Sequence, residues 1–153
     1  MNECTVEKTR FFDAPRARVF AAWTKAEHLE HWFGPNGFTV HSAEADARAG
    51  GVFRLCMRSP DGKDYWVRGT YREVIAPERL VITCTAHDAE GIARLEEVIN
   101  VSFAEQGGKT KLVLNATARG SSDIAARFLA GMEEGWTQTI DRLGTHLGSG
   151  TKR

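Results

Sequence analysis

The spacing of hydrophobic and polar positions changes twice along these 153 residues. Thr5 to Phe12 mixes β-branched and aromatic residues in partial alternation and stops at Asp13-Ala14-Pro15. It reads as a strand followed by a helix whose first turn Pro15 suits. Val19, Phe20 and Trp23 fall at helical offsets on one side, leaving Arg16, Arg18 and Lys25 to reach water. Thr24 and Glu27 have capping-box spacing for a second short helix carrying Leu29 and Trp32, which Phe33-Gly34-Pro35-Asn36-Gly37 ends.

From Phe38 the period becomes two. Phe38, Val40 and Ser42 share one face, and after Gly50-Gly51 so do Phe53, Leu55 and Met57. Ser59-Pro60-Asp61-Gly62-Lys63 is turn chemistry leading to a strand from Tyr65 to about Ile75, and Ala76-Pro77-Glu78-Arg79 marks a corner. Three more strands carry Leu80, Ile82 and Cys84, then Leu95 to Phe103, then Thr110 to Thr117. Six strands in succession predict an antiparallel meander.

The helical period returns from Ser122 to Leu147, where Ile124, Phe128, Met132, Trp136, Ile140, Leu143 and Leu147 recur at threes and fours. One helix there would carry an apolar stripe roughly 39 Å long. Such a stripe must be buried, and a curved sheet is its available partner, which predicts an α+β fold. Gly51 and Gly69 are the candidates for letting the sheet bend. Gly131 and Gly135, one turn apart, either bring the helix close to the sheet or leave room beside Trp136 for a ligand.

The length suits one domain, continuous from Thr5 to Leu147, with a polar and flexible tail over 148–153. Twenty basic residues balance 20 acidic ones without a basic aromatic strip, which argues against nucleic-acid binding. The first residues lack the apolar stretch of a signal peptide, and no run approaches about 18 apolar residues. A cytoplasmic protein without membrane insertion is expected. Cys4, Cys56 and Cys84 are odd in number and form no CxxC pair, so they read as free thiols or small buried hydrophobes.

Sharper chemistry finds little support in the motifs. Gly107-Gly108-Lys109-Thr110 ends like a phosphate loop but lacks the glycine required at position 103, where Phe103 sits, and a strand follows it. It reads as a hairpin turn. His28 and His31 have no third ligand at a recognisable spacing and read as exposed helix histidines, so no metal is expected. No GxSxG elbow marks a nucleophile. Glu97 is the candidate for acid–base catalysis, because its parity matches Ile99, Val101 and Phe103 and would turn it toward the interior. The ordinary alternative is a rim carboxylate paired with an arginine.

Several segments together resemble a known family. Phe12-Asp13-Ala14-Pro15, Val19-Phe20-Ala21-Ala22-Trp23-Thr24, His31-Trp32-Phe33-Gly34-Pro35 and Asp46-Ala47-Arg48-Ala49-Gly50-Gly51 are followed in order by Gly69-Thr70-Tyr71-Arg72-Glu73-Val74, Pro77-Glu78-Arg79-Leu80, Gly135-Trp136 and Asp141-Arg142-Leu143. Nearly the whole chain is similar to the START-like (SRPBCC) superfamily, and within it to bacterial homologues of the activator of the ninety-kilodalton heat-shock chaperone ATPase. The resemblance implies a helix-grip fold, in which a seven-stranded antiparallel sheet holds a long C-terminal helix around a cavity for lipids, polyketides or other hydrophobic compounds. A chaperone partner is not expected, because the eukaryotic activators join such a domain to a separate N-terminal one for which this chain has no room.

The expected activity is therefore binding of a small hydrophobic molecule between the sheet and the last helix, with no cofactor. Phe53, Leu55, Met57, Val67, Ile99 and Val101 on the strands and Phe128, Met132 and Trp136 on the helix are the expected lining, with Trp32 and Phe33 near an entrance. Tyr71, Glu97 and Arg68 are the polar groups expected to orient the ligand. A cyclase, dehydratase or hydrolase using Glu97 or a histidine, and a partner-binding module or homodimer with a filled interior, are the alternatives.

Overall fold

The computed structural model describes residues 2–151, with side chains described as far as Gly148. The first strand, β1 (Asn2–Phe12), pairs antiparallel not with its successor in sequence but with the last strand, β7 (Lys109–Gly120). Two short helices, α1 (Arg16–Thr24) and α2 (Ala26–Trp32), carry the chain across to the opposite edge. There β2 (Thr39–Ala45) begins a meander through β3 (Val52–Arg58), β4 (Asp64–Ile75), β5 (Arg79–His87) and β6 (Ala93–Gln106) back to β7. The sheet order is β1-β7-β6-β5-β4-β3-β2, all antiparallel. Helices α3 (Asp123–Ala130) and α4 (Met132–Thr151) close the structure in the helix-grip arrangement.

Gly51 and Gly69 serve close approach. A Cβ on Gly69 would collide with the Thr83 carbonyl and the Cys84 backbone of β5, and one on Gly51 with the Asp46 carbonyl. The register also shifts at His41 in β2 and at Arg72 in β4. The first of these shifts corrects the simple alternation expected for β2. An extra residue flips parity, so Val40 and then Ala43 and Ala45 pack on the core while Ser42 is exposed.

Two helix expectations also change. The single helix from Ser122 to Leu147 is two, because Gly131 adopts φ −94°, ψ 0° and the chain restarts at Met132. Ser122 caps α3, its hydroxyl accepting the Ala125 amide at 3.0 Å. The buried stripe is Ala125, Leu129, Met132, Trp136, Ile140, Leu143 and Leu147, so Ile124 and Phe128 sit at its half-buried margin. Thr24 does not cap α2. Its hydroxyl instead donates to the Phe20 and Ala21 carbonyls, and Lys25 occupies the cap position without a side-chain bond. Helical backbone continues through residues 148–151 of the expected tail, and Lys152 and Arg153 lie outside the described residues.

An aromatic cluster fills one end of the interior. Trp23 meets Trp32 at 4.8 Å and stacks on Trp136 at 6.3 Å between centroids. Trp32 Nε1 donates to the Ala22 carbonyl and the Tyr71 hydroxyl to the Trp23 carbonyl, each at 3.0 Å. These bonds satisfy polar atoms that burial would otherwise penalise by about 1–3 kcal/mol each.

Candidate functional site

The other end of the interior is hollow because of what stands in two rows across the sheet. Glu97 of β6 lies opposite Cys84 of β5 and Ala118 of β7, and the row extends to Gly69 of β4 and Cys4 of β1. The neighbouring row reads Val67, Ala86, Leu95. Small residues on either side of one carboxylate keep the floor low. Above it, Gly135 presents no side chain, and a Cβ there would touch nothing within 4 Å. The result is a cavity of about 170 Å³ between sheet and helices. Its walls are Met57, Val67, Ala86, Leu95, Glu97, Ile99 and Ala118 from the sheet, Phe128, Met132, Gly135, Trp136 and Thr139 from the helices, and Phe33, Gly34 and Pro35 from the loop after α2.

Among the described residues, Glu97 is the sole ionisable one in that lining. Its Oε2 accepts the Trp136 indole N–H at 3.2 Å. Burial pushes its carboxyl up to about 7, and the indole bond pulls weakly the other way. Among the described residues no basic side chain lies within ion-pair distance, so the expected arginine partner is replaced by a neutral indole. Burial and the Glu97 charge hold the adjacent Cys84 thiol well above its ordinary value, which keeps it protonated and unreactive. The Thr139 hydroxyl donates to the Gly135 carbonyl at 2.7 Å within its own helix. A carboxyl so placed can exchange a proton near neutrality or face a cation.

Of the residues expected to line the site, the structure brings together Phe33, Met57, Val67, Glu97, Ile99, Phe128, Met132 and Trp136. Phe53, Leu55, Trp32 and Val101 are instead buried in the filled part of the core, Phe53 against both Phe33 and Tyr71. Tyr71 is fully buried outside the cavity lining, its hydroxyl donating to the Trp23 carbonyl. Arg68 points the wrong way. Strand parity sets it on the outer face of the sheet, exposed, with its guanidinium 4.4 Å above the Trp66 ring. That face also holds a larger depression of about 630 Å³, whose lining mixes threonines, Val98 and Cys84 with the charged Glu3, Arg68, Glu96, Glu97 and Arg119. Alternation could have found Leu95, which shares parity with Glu97 and Ile99. Ala86, Ala118 and Gly135 contribute by being small, for which the sequence carries no periodic signal.

The cavity mouth is tied to α4. Arg142 Nη1 donates to the Gly34 and Pro35 carbonyls at 2.8 Å each, and the Asn36 amide donates to Gln138 Oε1 at 3.0 Å. Farther along, His28 and His31 are not simply exposed surface residues of α2. His146 of α4 meets them, with 2.9 Å between His28 Nδ1 and His146 Nε2 and with the His31 and His146 rings stacked. Among the described residues no cluster has the geometry to hold a metal ion.

This grip of sheet on helix, with its hollow beside the last helix, has close counterparts. A family model described as Activator of Hsp90 ATPase homolog 1-like protein matches residues 13–148. The chain belongs to this family. Solved structures agree: a protein of Nitrosomonas europaea is 22% identical with a TM-score of 0.79, the match covering 96% of each chain. The AHSA1 protein of Silicibacter pomeroyi is 24% identical with a TM-score of 0.79, covering 96% of this chain and 99% of its own. An uncharacterized protein of Rhizobium leguminosarum is 25% identical at a TM-score of 0.78, covering 97% and 96%. Comparison with curated proteins finds no match. Among the described residues no helix is long and apolar enough to cross a membrane.

Proposed function

We propose that this protein binds a small, mostly apolar molecule in the cavity between its sheet and the α3–α4 pair. The observation that carries this reading is the hollow itself. Interiors are ordinarily filled to crystal-like density, and here Gly135, Ala118 and Ala86 face one another across open space beside a single half-buried carboxyl. A cavity of about 170 Å³ is close to the roughly 150 Å³ that accommodates benzene in an engineered apolar site. The fitting ligand is one or two rings in size, smaller than a lipid or an extended polyketide. Apolar burial at about 25 cal/mol per Å² supplies the attraction, with dissociation constants on the order of 0.1–1 mM for bodies that small. The free state of Cys4, Cys56 and Cys84 supports a reducing, cytoplasmic setting.

The test is native mass spectrometry of the protein purified from its own cells, beside Gly135→Leu, whose side chain would grow into the hollow. A co-purifying small molecule on the wild type and none on the folded variant is the expected result. A bare wild-type mass, with no thermal shift from a panel of one- and two-ring apolar compounds, would overturn the reading.

A further inference from the structure

The lining of the cavity is unbalanced in charge. Among its described residues Glu97 alone can ionise, and its one polar contact there is the Trp136 indole N–H on Oε2 at 3.2 Å. Among the described residues no lysine, arginine or histidine shares the lining, and none pairs with the carboxylate from outside. The indole bond favours the anion, and among the described residues Oε1 has no hydrogen-bond partner. What the site lacks is a donor, and a charged one completes it most fully. The rings point the same way. Phe33 and Trp136 stand edge to face at 6.0 Å, and Phe128 shares the lining. Aromatic walls attract cations through their quadrupoles and repel anions.

We propose that the molecule held here is a one- or two-ring apolar body bearing a single protonated nitrogen, with Glu97 as its counter-ion beside the aromatic wall. This rests on the cavity being the ligand site and adds the ligand's chemical class. The body of the ligand fills the space bounded by Ile99, Met132 and Phe128, and its nitrogen faces Oε1. An anionic ligand is rejected, because it would meet an uncompensated carboxylate in a poorly hydrated site. The bound nitrogen also settles the carboxyl in its ionised form, which ties affinity to pH. Glu97 titrates near 7, so amine affinity should rise about tenfold from pH 6 to pH 8.

Isothermal titration of the full chain with 2-phenylethylamine, propylbenzene and phenylacetate, three probes of matched bulk, tests this. At pH 8 the amine is expected to bind at least tenfold more tightly than propylbenzene, and phenylacetate not at all. Glu97→Gln should abolish the amine's advantage over propylbenzene and its pH dependence, with a retained cooperative urea transition showing that the variant folds. Equal affinity of the wild type for amine and hydrocarbon, or preference for phenylacetate, would overturn the charge assignment and leave the cavity reading standing. Failure of all three probes to bind would remove both.

Discussion

Replacing Glu97 by Gln should stabilise the protein, by an amount that pH controls. Burial lifts the Glu97 carboxyl from 4.5 to about 7. Each tenfold in proton affinity is worth about 1.4 kcal/mol, so the difference between folded and unfolded chains amounts to about 3 kcal/mol. The sign follows from which state holds the proton. Below pH 4.5 both states are protonated and the carboxyl costs nothing. As pH rises toward 7, the unfolded chain ionises freely in water while the folded chain retains its proton, so stability drains away. Above that pH both are ionised, and the penalty of a desolvated anion is complete. Gln preserves the shape and offers an amide oxygen to the Trp136 indole, with nothing to ionise. In urea unfolding followed by tryptophan fluorescence, the variant should match the wild type near pH 4.5 and exceed it by about 3 kcal/mol near pH 8. A gap that stays constant across this window, or a wild type more stable at pH 8, would refute the placement of Glu97 in a desolvated interior.

Trp136→Ala removes a buried ring that stacks on Trp23, meets Phe33 and satisfies Glu97, and should cost roughly 3–5 kcal/mol in the same assay. A loss below about 1 kcal/mol would place the ring in solvent. Arg142→Ala frees the Gly34 and Pro35 carbonyls from α4, and a loss of about 2 kcal/mol is expected. Amide exchange over residues 34–37 should quicken, and unchanged exchange would count against the tie. His146 is held below its ordinary value of 6.5 by burial first, and then by His28, His31 and Arg18. Its contribution is intact above 6.5 and is lost as pH falls below that value, the reverse of the Glu97 trend. Measured against His146→Gln, the wild type should lose stability on acidification, and parallel pH profiles would contradict the cluster.

The architecture was legible because periodicity reports faces directly. Alternation from Phe53 to Met57 and from Leu95 to Phe103, and the threes and fours from Met132 to Leu147, mark the surfaces that are buried. Features that depend on one residue breaking a pattern were not. The bulge at His41 reverses the faces of β2, and Gly131 divides the last helix, though each looks unremarkable in sequence. Glu97 was found by parity, yet its partner was not, since Trp136 lies 39 positions away on another element. Strict alternation with Val67 turns Arg68 outward, against the expectation that it orients the ligand. The hollow was the hardest feature to read. It exists because Ala86, Ala118 and Gly135 converge from three elements, a coincidence of register that only pairing across β4 to β7 reveals.

The central claim is that this space accepts a guest, and methyl NMR during titration with a small ring compound such as propylbenzene addresses it most directly. Saturable shifts should gather at the methyls of Met57, Val67, Ala86, Ile99, Ala118 and Met132 and vanish in Gly135→Leu. Absence of saturation there, or shifts concentrated on Val98 and Val113 of the exposed face, would contradict the account.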